Sequence, residues 1–236
     1  MRSDLHDVPA STALYCCPLY YDIDGTIIDS VDFHIQAWKR AFEKFGKGVS
    51  YELIRPQIGK GADDMLPVFF SNEELHRFRR DLEKYRGELF EREYLPKVKA
   101  FPRVRDLFER IKQEGKKISL ASTAKEKEIT IYKEIARIND LIDSEVCSEE
   151  VKKSKPHRDI CATALHKLGN VVAHQVIAIG DTEYDAEAAG KINVRTIGLL
   201  CGGGNREELN RVGCVAIYKH PADLLDHYEV SPLASN

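Results

Sequence analysis

From residue 101 onward the chain alternates between short apolar runs and amphipathic stretches, and this alternation constrains the fold more than any other feature. We predict strands over 117–122, 142–147, 175–180, 194–200 and 214–218. We predict helices over 103–114, 126–137, 157–168, 184–190, 205–212 and 221–227. Strands that alternate with helices form a parallel, doubly wound α/β sheet, and ligands bind such a sheet at the carboxyl ends of its strands. Polar residues that directly follow an apolar run are therefore the first candidates for a functional site.

The stretch 31–98 contains no apolar run typical of a buried strand. Apolar residues recur at helical spacing within 31–45 and 73–94, and Ser71-Asn72 offers an N-cap for the second of these helices. We interpret the many charged residues of 73–94 as a solvated helix face. The sequence thus predicts a small helical domain, 31–98, inserted into a core domain made of 1–30 and 99–236.

Two aspartates, Asp22 and Asp24, stand at the end of a short apolar run. Pro18 cannot donate to a sheet, so the paired part of this predicted strand is Leu19 to Ile23. Alternate side chains of an extended segment share a face, so both carboxylates can point toward one ligand. Displacement at phosphorus uses such a pair, one as nucleophile and metal ligand and the other as proton donor and acceptor. The same pair is also typical of an Asx-rich turn.

Three later segments end in residues that suit the same chemistry. The run Ile118–Thr123 ends in hydroxyl groups, and the run Val176–Asp181 ends in Gly-Asp with Asp185 four residues on. Lys155-Pro156 lies between them, after a polar stretch. Each segment has an ordinary structural explanation, as a helix cap, a solvated charge or a turn. Because each falls at a strand end or a helix start and their order is consistent, a shared site is favoured over coincidence.

The four segments together resemble motifs I to IV of the haloacid dehalogenase (HAD) superfamily, in its phosphatase branch. Dehalogenases of this fold lack the second aspartate of motif I, so Asp24 favours phosphoryl transfer over dehalogenation. The helical insertion after the first strand resembles the small C1 cap of this superfamily. The resemblance covers nearly the whole chain from Leu19 to Tyr228. It implies a Rossmann-like core with a C1 cap.

The resemblance implies a role for each motif residue. Asp22 would attack phosphorus and form an aspartyl-phosphate, Asp24 would serve as general acid and base, and Lys155 would offset developing charge. Magnesium is the implied cofactor, because an all-oxygen, carboxylate-rich site suits it. Its implied ligands are the Asp22 carboxylate, the Asp24 backbone carbonyl and Asp181, with Asp185 either a ligand or a residue that positions the ligands. Contacts to the transferred phosphoryl group are implied for Gly25, Thr26, Ser122 and Thr123.

Substrate choice depends on the cap, where the sequence is less informative. Ile58–Asp63 resembles the cap loop that reaches the active site in phosphoglycolate-phosphatase-like members, and Lys60 could contact an anionic leaving group there. A lone lysine in a glycine loop is equally typical of plain surface. His34 and Trp38 match the spacing of positions in β-phosphoglucomutase, so we count His34 as a candidate substrate contact. Trp38, at helical spacing, is first a packing residue.

Three functions compete on this basis. The first is a magnesium-dependent phosphatase for small phosphorylated metabolites, of the phosphoglycolate phosphatase type. The second is a sugar-phosphate mutase of the β-phosphoglucomutase type, which uses the same four motifs and must keep water out while it returns the phosphoryl group. The third is a non-catalytic binding protein on the same scaffold. The usual signature of that class is the loss of a motif aspartate or lysine, and every one of them is present.

Composition limits partners and location. The chain has 236 residues with a net charge of −3 and 31% charged residues, so it has no polybasic surface for nucleic acid or an anionic membrane. No apolar run approaches the ~20 residues of a membrane helix. The only expected partner is a small phosphorylated metabolite, bound by a monomer or homodimer. Cysteines at 16, 17, 147, 161, 201 and 214 show no metal spacing. We expect reduced thiols and a cytoplasmic protein.

Overall fold

The computed structural model describes residues 18–169 and 171–234; Cys16 and Cys17 lie outside these residues. The strands are β1 (Leu19–Tyr21), β2 (Ile28–Asp29), β3 (Lys99–Ala100), β4 (Ile118–Ala121), β5 (Ser144–Val146), β6 (Ile177–Gly180), β7 (Arg195–Leu199) and β8 (Ala216–Tyr218). The helices of the cap region are α1 (Val31–Lys44), α2 (Tyr51–Ile54), α3 (Ala62–Phe69) and α4 (Asn72–Leu89). The remaining helices are α5 (Val104–Gln113), α6 (Glu126–Ala136), α7 (Asp159–Lys167), α8 (Glu183–Gly190), α9 (Arg206–Arg211) and α10 (Pro221–Asp226).

The main sheet has six parallel strands in the order β5-β4-β1-β6-β7-β8. The predicted doubly wound α/β class is confirmed, and the predicted strands and helices after residue 101 are present with ends shifted by no more than two residues. β2 and β3 form a separate antiparallel pair. β1 lies in the middle of the main sheet, with Leu19 opposite Ile118 on one side and Ile177 on the other. The order reverses at β1, and this is where such sheets bind ligands.

The first strand begins directly after Pro18, as the sequence predicts. The Pro18 carbonyl still accepts a hydrogen bond from the Ile177 amide at 3.2 Å, while the Leu19 amide donates to Lys117 at 2.9 Å. The regular strand ends at Tyr21, earlier than the predicted Ile23. Asp22 nevertheless continues the pairing, because its amide donates to the Ile179 carbonyl at 2.9 Å. The chain therefore leaves the sheet between the two aspartates of motif I.

Side chains of the central strands alternate between two apolar layers. Leu19 and Tyr21 of β1 belong to the larger layer, and Tyr20 belongs to the other. Ile177 of β6 faces the same layer as Leu19, and Ala178 faces the opposite one. A strand covered on both faces exposes almost no side chain, which explains the continuous apolar runs in the sequence. The strand ends are thereby held rigidly for the residues that follow them.

The helical stretch 31–98 has an apolar cluster of its own. Helix α1 contributes Ile35, Trp38 and Phe42 to it, and α4 contributes Leu75 and Leu82. Ser71 caps α4, as predicted. Its hydroxyl accepts from the Glu74 amide at 3.2 Å, and Glu74 accepts from the Ser71 amide at 2.7 Å. The division into a 31–98 cap and a 1–30 and 99–236 core stays a prediction. Within the described residues, no helix is both long and apolar enough to cross a bilayer.

Candidate active site

The candidate site lies at the carboxyl ends of the three central strands. Asp22 follows β1, Ser122 follows β4 and Asp181 follows β6. These strands are parallel neighbours, so the three residues meet at one edge of the sheet. The structure thus brings together side chains that lie far apart in the sequence. Asp22 is half-buried, while Ser122 and Asp181 are fully buried.

Lys155 joins this group from the segment before α7. Its ammonium donates to one Asp22 carboxylate oxygen at 2.5 Å and lies 2.7 Å from a carboxylate oxygen of Asp185. It also donates to the Ala121 carbonyl at the end of β4, at 2.9 Å. Lys155 is only 2% exposed, which rules out the solvated charge considered from the sequence. A buried ammonium is tolerated here because all of its contacts are acceptors.

Three carboxylates, those of Asp22, Asp181 and Asp185, cluster beside this single ammonium. Burial raises the pKa of Asp22 to about 7, although Lys155 opposes the shift and Asp185 and Asp24 add to it. Burial, with the charges of Asp185 and Asp22, also raises the pKa of Asp181 well above its ordinary value. Burial acts to lower the pKa of Lys155, but the adjacent carboxylates outweigh it and raise that pKa. Carboxylates therefore outnumber cations at this edge of the sheet.

The three carboxylates also fit a hard divalent cation. One oxygen each of Asp22, Asp181 and Asp185 lies within 4.8 Å of the others. An all-oxygen donor set with several carboxylates is what Mg²⁺ takes in proteins. Asp185 is fixed in place, because its second oxygen accepts from the Thr182 amide at 3.1 Å and from the Thr182 hydroxyl at 2.7 Å. The donor chemistry of these residues agrees with the implied magnesium.

The Asp24 carboxylate points into a separate hydrogen-bond network. Ser30 donates to one of its oxygens at 2.5 Å, and His34 Nε2 lies 2.8 Å from the same oxygen. Arg86 contacts His34 Nδ1. A guanidinium can only donate, so Nδ1 is the acceptor and the proton of the neutral ring sits on Nε2, facing Asp24. Burial acts to raise the pKa of Asp24, but its contacts with His34, Ser30 and Tyr132 outweigh it and lower that pKa.

Glycines allow the backbone to close around Asp181. Gly25 has φ +81°, and a methyl group built on it would lie 2.3 Å from an Asp181 carboxylate oxygen. A methyl group on Gly202 would lie 1.9 Å from the same oxygen, and one on Gly204 would lie 2.1 Å from the Asp181 carbonyl. Thr26 completes the enclosure, because its hydroxyl donates to Asp181 at 3.1 Å. At Gly25, Gly202 and Gly204, any side chain larger than a hydrogen atom would clash with Asp181 in its present position.

The remaining predicted substrate contacts are Ser122, Thr123 and Lys60. Ser122 accepts a hydrogen bond from the Ala124 amide at 3.0 Å, and its own O–H is not donated to any residue that the structure describes. Thr123 is half-buried beside it. Lys60 donates to the Gln57 side chain at 2.7 Å, and its ammonium lies 4.9 Å from the centre of the Tyr184 ring. Lys60 therefore lies where the cap loop meets the core.

The chain matches the profile of the haloacid dehalogenase-like hydrolase family over residues 19–199. It belongs to this family. It is 26% identical over 207 residues to a phosphorylated carbohydrates phosphatase of Thermotoga maritima, covering 87% of this chain and 95% of the relative. It is 28% identical over 192 residues to the β-phosphoglucomutase of Bacillus subtilis, covering 76% and 81%. The crystal structure of a hydrolase from Pseudomonas syringae superposes with a TM-score of 0.81 and 28% identity, covering 90% and 98%. The protein is accordingly a hydrolase.

Two features of this haloacid dehalogenase-like site are not evident from the sequence. The network around Asp24 includes Ser30, Arg86 and Tyr132, which are common residue types with no motif around them. Arg86 belongs to the stretch that we interpreted as a solvated face, and it is half-buried instead. The glycine run 202–204 leads into α9 and also packs on Asp181. A signal existed only for the glycines, since three in a row indicate close backbone approach or a turn.

Proposed function

We propose that the protein is a magnesium-dependent phosphatase of small phosphorylated metabolites, of the phosphoglycolate phosphatase type. The observation that carries this proposal is the position of Asp22, at the centre of the sheet edge and between Lys155 and the acidic pair Asp181 and Asp185. A nucleophilic carboxylate needs one oxygen free and a cation to hold the other. Lys155 binds Oδ1 of Asp22, and Oδ2 has no hydrogen-bond partner among the described residues.

Asp22 attacks phosphorus through its free oxygen, so that a bond forms from Oδ2 to phosphorus and the bond to the leaving oxygen breaks. Lys155 offsets the charge that develops on the phosphoryl oxygens, a task that suits a compact ammonium. The unused O–H of Ser122 and the amide of Thr123 can donate to the same oxygens. Water then displaces the Asp22 carboxylate from phosphorus and releases inorganic phosphate.

Asp24 handles the protons in both steps. Because its contacts lower the pKa of Asp24, it first takes a proton from the incoming phosphate monoanion. It gives that proton to the leaving oxygen and later takes one from the attacking water. Ser30 and His34 both bind the same one of its two oxygens. Dehalogenation needs no such residue, which is why Asp24 supports phosphate ester chemistry.

Magnesium would be held by Asp22, Asp181 and Asp185, with the Asp24 backbone carbonyl as a further ligand. When bound, the ion offsets the mutual repulsion of these carboxylates and of the incoming phosphate. The Thr26, Gly25 and Gly202 contacts that fix Asp181 would then fix one ligand of the ion. Cys147, Cys161, Cys201 and Cys214 are unpaired thiols. They support a cytoplasmic location, because reducing compartments keep thiols free.

A mutase remains the second candidate, because a relative is named β-phosphoglucomutase. The relative named as a phosphatase covers more of both chains. A mutase must bind a phosphorylated sugar in two orientations, which requires several polar groups on the cap loop. The loop 58–64 offers one cation, Lys60, beside small residues and the two aspartates Asp63 and Asp64. That set suits one small anionic group better than a whole hexose.

The experiment is a screen of small phosphate esters for phosphate release by the purified protein, with magnesium and with chelator. The proposal predicts release from at least one ester with magnesium and none with chelator. No release from any ester, or equal release in chelator, would contradict it.

A further inference from the structure

Arg86 occupies an unusual environment for a cation. It extends from α4, and its guanidinium lies 4.9 Å from the centre of the Trp38 ring and 5.1 Å from that of Phe90. Its Nε is buried and has no hydrogen-bond partner among the described residues. The one side-chain hydrogen bond that it makes to a described residue is the donation to His34. One N–H donor of Arg86 is therefore withdrawn from bulk water and uncommitted.

The charge of Arg86 is also unbalanced. Arg40 and Arg79, in the same helical region, each pair with a glutamate. Arg77 and Arg80 form no such ion pair with a residue that the structure describes, but they are exposed to water. Arg86 is half-buried, and among the described residues no carboxylate forms an ion pair with it. Partial burial of an unpaired charge is costly. An anion that binds beside Arg86 during turnover would offset this free-energy cost.

Arg86 is connected to Asp24 through one intervening side chain. One imidazole ring separates its guanidinium from Asp24, since His34 binds Arg86 through Nδ1 and Asp24 through Nε2. Under the proposed function, Asp24 protonates the leaving oxygen. The leaving oxygen therefore sits beside Asp24, and groups a few bonds further along the leaving group come within reach of Arg86.

We propose that Arg86 selects substrates whose leaving group carries a second anionic group, a carboxylate or a phosphate. This assignment rests on the proposed phosphatase function and names its substrate class. A guanidinium suits the task because its fork of N–H donors matches two oxygens of such a group at once. The rings of Trp38 and Phe90 lie against the guanidinium and restrict its orientation. Lys60 is less available, since its ammonium already binds Gln57.

The test compares esters in matched pairs that differ in the second anionic group. One pair is 2-phosphoglycolate with 2-hydroxyethyl phosphate, and the other is glucose 1,6-bisphosphate with glucose 1-phosphate. The wild-type protein should prefer the anionic member of at least one pair by roughly tenfold or more in kcat/KM, the scale of a charge-assisted hydrogen bond. In Arg86→Gln that preference should fall by roughly tenfold, mainly through a higher KM. Arg86→Lys should retain part of it.

Arg79→Gln is the matched control. Arg79 lies on the same helix and pairs with Glu83 at 2.7 Å, so its loss should leave the preference at the wild-type value. Thermal melts check folding, and if Arg86→Gln does not fold, Arg86→Lys decides. An equal loss on both members of each pair would show that Arg86 acts only through His34, and would overturn the assignment. A wild-type protein without preference would also overturn it. A wild-type protein that hydrolyses no ester would instead overturn the proposed function, and the assignment with it.

Discussion

Lys155 holds Asp22 through a contact of 2.5 Å between residues that are 133 positions apart in the chain. The same ammonium binds Asp185 and the Ala121 carbonyl, so it connects the ends of β1 and β4 with the start of α8. One buried cation thus positions the candidate nucleophile and one of the candidate metal ligands. The fold places these residues before any ligand arrives, which is the preorganisation that electrostatic catalysis requires.

We predict that Asp22→Asn abolishes turnover and leaves the fold intact. The amide is a poor nucleophile, so kcat for any accepted ester should fall by at least roughly 1,000-fold. Lys155 keeps Asp185 and the Ala121 carbonyl as acceptors, so the variant should melt near the wild-type temperature. Asp81→Asn, an exposed change on α4, is the control. Near-normal activity in purified Asp22→Asn would remove Asp22 from the role of nucleophile.

Removal of the metal should silence the enzyme reversibly. Chelator should reduce phosphate release to background, because Asp22, Asp181 and Asp185 would repel the incoming phosphate without a cation. Added magnesium should restore activity. Calcium should restore little, because its larger and more variable coordination disturbs the geometry of attack. The measurement is phosphate release against free metal concentration, and full activity in chelator would count against the magnesium assignment.

Gly202→Ala should weaken metal binding. The new methyl group would overlap Asp181 at 1.9 Å and approach the Gly25 backbone at 2.8 Å, so Asp181 must move. Changing a residue that positions a metal ligand typically costs about 10- to 100-fold in metal affinity. Calorimetric titration with magnesium reports this independently of turnover. Gly190→Ala is the control, because no atom lies within 4 Å of a methyl group built there. Equal magnesium affinity in the two variants would refute the steric role of Gly202.

Lys60→Ala should raise KM for anionic substrates more than for neutral ones. The reason is the loss of a cation from the cap loop that meets the core at Tyr184. Loss of uniform binding appears in KM, and kcat falls only if the contact strengthens in the transition state. Steady-state kinetics on an anionic and a neutral ester give the answer. An unchanged KM would leave the hydrolase standing but exclude Lys60 from the site.

The sequence predicts the sheet well because its strands are buried on both faces and read as continuous apolar runs bounded by glycine. It also predicts which edge carries Asp22, Ser122 and Asp181, since parallel strands share one carboxyl edge. The sequence does not predict the hydrogen-bond partners of Asp24. Arg86 sits among many charged residues of one helix, and only the packing of that helix against α1 withdraws it from water. The residue pattern within one helix does not predict a contact that depends on how two helices pack against each other.

The most direct test of the proposed phosphatase function identifies the product that contains the transferred phosphoryl group. ³¹P NMR of the purified protein with magnesium and a set of phosphate esters, including β-glucose 1-phosphate, distinguishes inorganic phosphate from a rearranged ester in one spectrum. The phosphatase account predicts that inorganic phosphate accumulates, that Asp22→Asn abolishes it, and that glucose 6-phosphate does not build up. Conversion of β-glucose 1-phosphate to glucose 6-phosphate with little inorganic phosphate would contradict the account and establish a mutase.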